Sequence, residues 1–161
     1  MDELKQKTEV LAPHYVKVLK YEGENVTRVL KIIPNLIKNV FKVTSTNFFE
    51  DKFKWDNVSE NNDFYGQWRG KFGEDKRTDL WVDVRAQGTQ NEKTKKGNVA
   101  VWLRAYTMTK FPYRNSFDKL LLRFYSHYFY SSQRRFYNEK ARRNLDILEK
   151  EIRTQLGMGF K

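Results

Sequence analysis

The chain has 161 residues, enough for one domain with a substantial core, and carries a formal net charge of +11. It has no cysteine, which excludes disulfides, thiolate chemistry and cysteine-ligated zinc or iron–sulfur centres. Twelve Phe, nine Tyr and four Trp, many of them in alternating runs, argue against disorder although 32% of the residues are charged.

Residues 1–7 read as a frayed start, charged and without a signal-peptide pattern. A strand is expected over Tyr15 to Tyr21, with Pro13 keeping its beginning at an edge or bend and Gly23 as punctuation. Asn25 can cap the next element, where Val26, Val29, Leu30, Ile33, Ile37, Val40 and Phe41 fall at helical spacing. Pro34 lies inside that stripe, which predicts a kink or two short helices meeting near Ile33–Pro34.

Four strands follow with period-two alternation. Their apolar sides are Phe49, Phe53 and Trp55; then Phe64, Trp68 and Phe72; then Leu80, Val82, Val84 and Ala86; and last Val99, Val101, Leu103 and Ala105. The intervening positions carry Tyr65, Gln67, Arg69 and Lys71, then Trp81, Asp83, Arg85 and Gln87, then Trp102, Arg104, Tyr106 and Met108. Such alternation describes an antiparallel meander, covered on one face and wet on the other. Asp51 falls among the apolar positions, where it marks either a bend near the strand end or a carboxylate with a raised pKa.

Ser116 to Leu156 contains neither proline nor glycine and closes at Gly157, so it reads as helix. Unbroken, it would run about 60 Å at 1.5 Å per residue, so it must break near Ser131–Ser132, bend, or project from the body. The aromatic run Phe124 to Tyr130 is expected in the core. Leu145, Leu148, Ile152 and Leu156 form a narrower stripe that either folds back on the domain or zips against a second copy to give a homodimer.

The fold class expected is α+β: an antiparallel meander curled around a long C-terminal helix, with an N-terminal strand and an interrupted helix, in a single domain over residues 1–161. This order resembles the START-like, or helix-grip, superfamily, and the resemblance rests on Tyr15–Tyr21, the Pro34-interrupted helix, the meander Phe48–Phe111 and Ser116–Leu156. Four meander strands are predicted where that family usually has six. The resemblance implies a carrier or sensor of an apolar small molecule, held between sheet and C-terminal helix, for which Trp55, Trp68, Phe124 and Tyr128 would be walls.

The residues themselves point first to a polyanion. Between Lys110 and Arg143 nine cations face two anions, Asp118 and Glu139. On the wet face Arg69, Arg85 and Arg104 interleave with Trp81, Trp102 and Tyr106, a set suited to phosphates and unpaired bases, although such rings and guanidinium groups also stabilise a sheet unaided. Arg134, Arg135, Lys140, Arg142 and Arg143 form a second candidate grip on a phosphate backbone. The two histidines, His14 and His127, have no metal-ligand spacing, and no phosphate loop or nucleophile motif is present. The expectation is therefore a non-catalytic, cytoplasmic protein that binds RNA or the ribosome, with no cofactor, no metal and no membrane span.

Overall fold

The computed structural model describes residues 1–57 and 59–158. The four alternating runs form β3 (Phe48–Asp56), β4 (Asn61–Gly73), β5 (Thr78–Asn91) and β6 (Lys96–Tyr113), each antiparallel to the next. The outer side of β6 pairs with two N-terminal strands, β1 (Asp2–Glu9) and β2 (Lys17–Glu24), placed end to end. Glu9 lies opposite Tyr106 and Lys17 opposite Leu103, so residues 10–16 leave the ladder and return to it. The start predicted to fray is thus an edge strand.

One layer of helices covers one face of this sheet. α1 (Val29–Phe41) follows a short 3-10 turn, Val26–Arg28, and continues through Pro34 as a single helix. Burial of Ile33, Leu36, Ile37 and Phe41 outweighs the one backbone bond that proline removes. It passes close over Gly70, where an added Cβ would lie 3.1 Å from Ile37 of the helix and 3.1 Å from Val43 just beyond it. α3 (Ser131–Leu156) turns Tyr137, Ala141, Leu145, Leu148, Ile152 and Leu156 inward and stops at Gly157, whose φ of 73° is left-handed. The narrow leucine stripe is therefore part of this domain's own core, packed with Val82, Val84, Val101 and Leu103.

Two expectations are corrected. The sheet does not curl around the C-terminal helix: its strand order β1-β6-β5-β4-β3 is open, with no pairing between the first and last strands, and α3 lies across one face. The aromatic run is also not core. The long helix divides at Phe129–Tyr130, giving α2 (Ser116–Tyr128) before α3, and of residues 124–130 only Ser126 and Tyr130 are buried. Phe124, Tyr125, Tyr128 and Phe129 face solvent.

Candidate functional site

The face opposite the helices carries the predicted sheet residues in transverse rows. In register, Gln67, Arg85, Trp102 and Val18 form one row, Arg69, Asp83 and Arg104 the next, and Lys71, Trp81, Tyr106 and Glu9 the third. β3 adds an aromatic by a route that simple alternation misses. A register shift between Glu50 and Lys52 bulges Asp51 out of the ladder and places Phe49 opposite Arg69, on the open face, away from the side of Phe53 and Trp55.

The cations in these rows are largely paired. Arg69 donates to both carboxylate oxygens of Asp51, one bond from Nη2 measuring 3.1 Å, so Asp51 is a strand-bend partner. Arg104 is gripped the same way by Glu9, with Nε 3.1 Å from Oε2, and Lys7 adds a contact of 3.3 Å to the same carboxylate. Burial would raise the Glu9 pKa, but the hydrogen bonds and charges of Arg104 and Lys7 hold it below the usual range. The hydrogen bonds to their carboxylates in turn raise the pKa values of Arg69 and Arg104 despite partial burial. Arg85 is different: its Nη2 approaches Asp83 only to 3.7 Å, and 48% of its side chain is exposed.

Rings and cations run across the sheet in one ladder. Phe49 stacks on Trp81 at 6.3 Å and Trp81 on Tyr106 at 6.5 Å. Arg69 lies over both Phe49 and Trp81, and Lys7 sits 4.4 Å above the Tyr106 ring. Each such contact contributes about 0.5–1 kcal/mol at an exposed site. Trp81 and Tyr106 are therefore already engaged with protein cations.

Beside this ladder the face is hollow. The excursion between β1 and β2 brings Tyr15 and Val16 to one side of a cleft of about 490 Å³, whose other walls are Tyr65 and Trp102 and whose polar lining is Asp83, Arg85, Gln87 and Arg104. Asp83, beside Arg85 on β5, accepts a bond of 3.4 Å from Gln67 through Oδ1 and turns Oδ2 toward Arg85. A neighbouring depression of about 960 Å³ shares Tyr65, Gln87 and Trp102 and extends toward Phe53 and Trp55. Sequence alternation places Trp102 and Arg85 on one face, but nothing in it signals that Tyr15 and Val16 join them.

The helix cations lie on the other side of the sheet, with α3. Lys140 is bound to Glu74 at 2.9 Å and Arg142 donates twice to the Val10 carbonyl. Arg134 is half-buried, its Nη2 on the Ser126 carbonyl at 3.0 Å, and burial pushes its pKa down. Arg135 and Arg143 are exposed and meet no carboxylate among the described residues. The structure thus separates the two predicted cation groups instead of joining them. It also disperses the four predicted pocket walls: Trp68 is fully buried and bonds Glu50 through its indole N–H at 3.3 Å, Trp55 lies on edge strand β3, and Phe124 and Tyr128 sit outside on α2.

Among the described residues no three His, Asp or Glu side chains gather as metal ligands, and no helix is long and apolar enough to cross a membrane. No family model matches the chain. No curated protein matches it either. A solved structure of an uncharacterised Rhizobium leguminosarum protein superposes over 96% of this chain and 99% of its own, with 7% identity and a TM-score of 0.23, a likeness too slight to carry an argument.

Proposed function

We propose that this chain is a binding protein that takes a small molecule in the cleft on the open sheet face, as a carrier or sensor and not as a catalyst. The observation that carries this reading is Arg85, a loosely paired guanidinium on the floor between the rings of Tyr65 and Trp102. The cleft volume of about 490 Å³ falls in the range of small-molecule sites. Its chemistry suits a flat apolar or aromatic body between Trp102 and Tyr15, with one anionic group meeting Arg85. This moves the ligand from the layer between sheet and helix, which the core fills, to the opposite face.

The experiment is titration with a panel of aromatic and aliphatic carboxylates, followed by tryptophan fluorescence and thermal shift, together with native mass spectrometry of the purified protein. Saturable one-to-one binding should weaken roughly tenfold or more in Arg85→Glu, the loss of a charge-assisted hydrogen bond of about 1.5–3 kcal/mol. Absence of any saturable ligand and of any co-purified mass would defeat the reading.

A second reading, RNA or ribosome association, is supported by the net charge of +11 and by the exposed Arg135 and Arg143, which meet no carboxylate among the described residues. It ranks below the first because Arg69 and Arg104 are each held by a carboxylate. Binding to RNA that falls steeply with added salt, and that Arg135→Glu and Arg143→Glu weaken broadly, would reverse that order.

A further inference from the structure

α2 is amphipathic, but it presents its apolar side outward. Side chains advance about 100° per residue around a helix, so Phe117, Leu120, Leu121, Phe124 and Tyr128 share one face. That face is solvent: Phe117 is 67% exposed, Leu120 64%, Phe124 56% and Tyr128 64%. Ser126, on the opposite side, is the buried residue of the helix; it donates to Gln6 of β1 at 2.8 Å, and its carbonyl accepts from Arg134. The helix is anchored by a polar group and offers a contiguous stripe of rings and leucines to whatever lies outside, a feature that on a monomeric surface marks an interaction site.

Charge distinguishes the occupants. From Lys110 to Tyr128 the cations Lys110, Arg114, Lys119 and Arg123 face the single anion Asp118, a net of +3 from four minus one. A second copy would set this positive segment against itself on chains that each carry +11, which opposes association. An anionic lipid surface satisfies both features together, because headgroups attract the cations while rings and leucines enter the acyl boundary. Phe129, 67% exposed just beyond the helix end, sets its ring 6.4 Å from that of Phe124, at the margin of the stripe.

We propose that α2 docks this protein peripherally on an anionic membrane surface, with the Phe117–Tyr128 stripe lying in the interface plane. This inference is independent of the cleft on the open face.

The test is co-sedimentation of the full chain with vesicles of phosphatidylcholine alone and of phosphatidylcholine containing phosphatidylserine. Binding is expected to the second and to be weak on the first. Leu121→Asp with Phe124→Asp should reduce it at least tenfold. Arg114→Glu with Arg123→Glu should reduce it about 25-fold or more, since each basic residue near an anionic surface strengthens binding about fivefold. Thermal melts of both double variants should match the parent, because all four side chains are exposed. No binding to either vesicle, or equal binding to both that ignores the arginine reversals, would overturn the proposal. So would a dimer in analytical ultracentrifugation that dissolves in Leu121→Asp with Phe124→Asp, which would give the stripe to a second copy.

Discussion

Tyr130 donates its hydroxyl hydrogen to Oδ2 of Asp75 across 2.6 Å, joining the corner between α2 and α3 to the turn between β4 and β5. The direction of the neighbouring bonds follows. Having given its one hydrogen to the carboxylate, Tyr130 must accept from Thr78 at 2.6 Å, and Thr78 must in turn accept from Thr109 at 2.9 Å. Asp75 takes Tyr137 on the same oxygen and the backbone N–H groups of Arg77 and Thr78 on the other. The helix breaks here because an inward Tyr130 completes this network, and Phe111 packs edge-on to its ring at 5.5 Å.

Tyr130→Phe should therefore destabilise the fold by about 1–3 kcal/mol, because it deprives buried Thr78 of an acceptor and Asp75 of a donor. Denaturant midpoints at constant m-value would measure this. An unchanged midpoint would mean that the corner is held by packing alone.

Acid should expose the same site. Burial would raise the Asp75 pKa, but the bonds from Tyr130, Arg77, Tyr137 and Thr78 outweigh it and hold the pKa below the usual carboxylate range. The unfolded chain then takes up the proton first as pH falls, so the stabilisation is present above the ordinary Asp pKa and is lost as pH drops through the depressed one. Melts across the acid range should show a steeper decline for the parent than for Asp75→Asn.

Lys17 gives the opposite sign. Its Nζ contacts Asp146 at 2.9 Å and also Glu149, tying β2 to α3. Burial would lower its pKa, but the bonds to Glu149 and Asp146 raise it above the ordinary lysine value. Stability from this pair is full below the unfolded pKa and disappears as pH rises through the folded one. With the lysine side chain 35% exposed, solvent screening limits the effect to about 0.5–1 kcal/mol. Lys17→Met should lower stability at neutral pH by about 0.5–1 kcal/mol and flatten the alkaline limb, so that the two profiles converge at high pH.

Gly88→Ala should be among the most damaging single-carbon additions. A Cβ there would lie 2.1 Å from the Asn98 carbonyl and 2.9 Å from Val99 Cα, both backbone atoms of β6. Relief requires the ladder to shift, at about 1–3 kcal/mol. Loss of the β5–β6 amide protection in hydrogen exchange would locate the damage, and wild-type protection would contradict it.

Leu148→Ala removes a fully buried side chain from the centre of α3 and should cost about 2–5 kcal/mol by urea titration. A loss below about 1 kcal/mol would mean that α3 is peripheral to the core.

The meander was legible because alternation in β4, β5 and β6 is strict, and each strand's apolar side is the one buried. The N-terminal strand was not, since Asp2–Glu9 has a single apolar residue, Leu4, and is held in extended form by its partner β6. Alternation in β3 misplaced Phe49 because the extra residue at Asp51 reverses the faces, and no spacing rule announces a bulge. For α2 the periodicity correctly groups the apolar side chains. Which way such a group points is a tertiary matter, decided by Ser126 and Tyr130. The open-face arginines were found from sequence, while the carboxylates that occupy two of them, Asp51 and Glu9, come from edge strands that only folding brings alongside.

The detour that separates β1 from β2 leaves both strands docked on the same flank of β6. Its residues Tyr15 and Val16 contribute a wall to the cleft without belonging to any ladder. Lengthening, shortening or rewriting that short stretch would reshape the hollow while every strand pairing stayed in place. In this molecule the outline of that hollow can drift independently of the architecture that frames it.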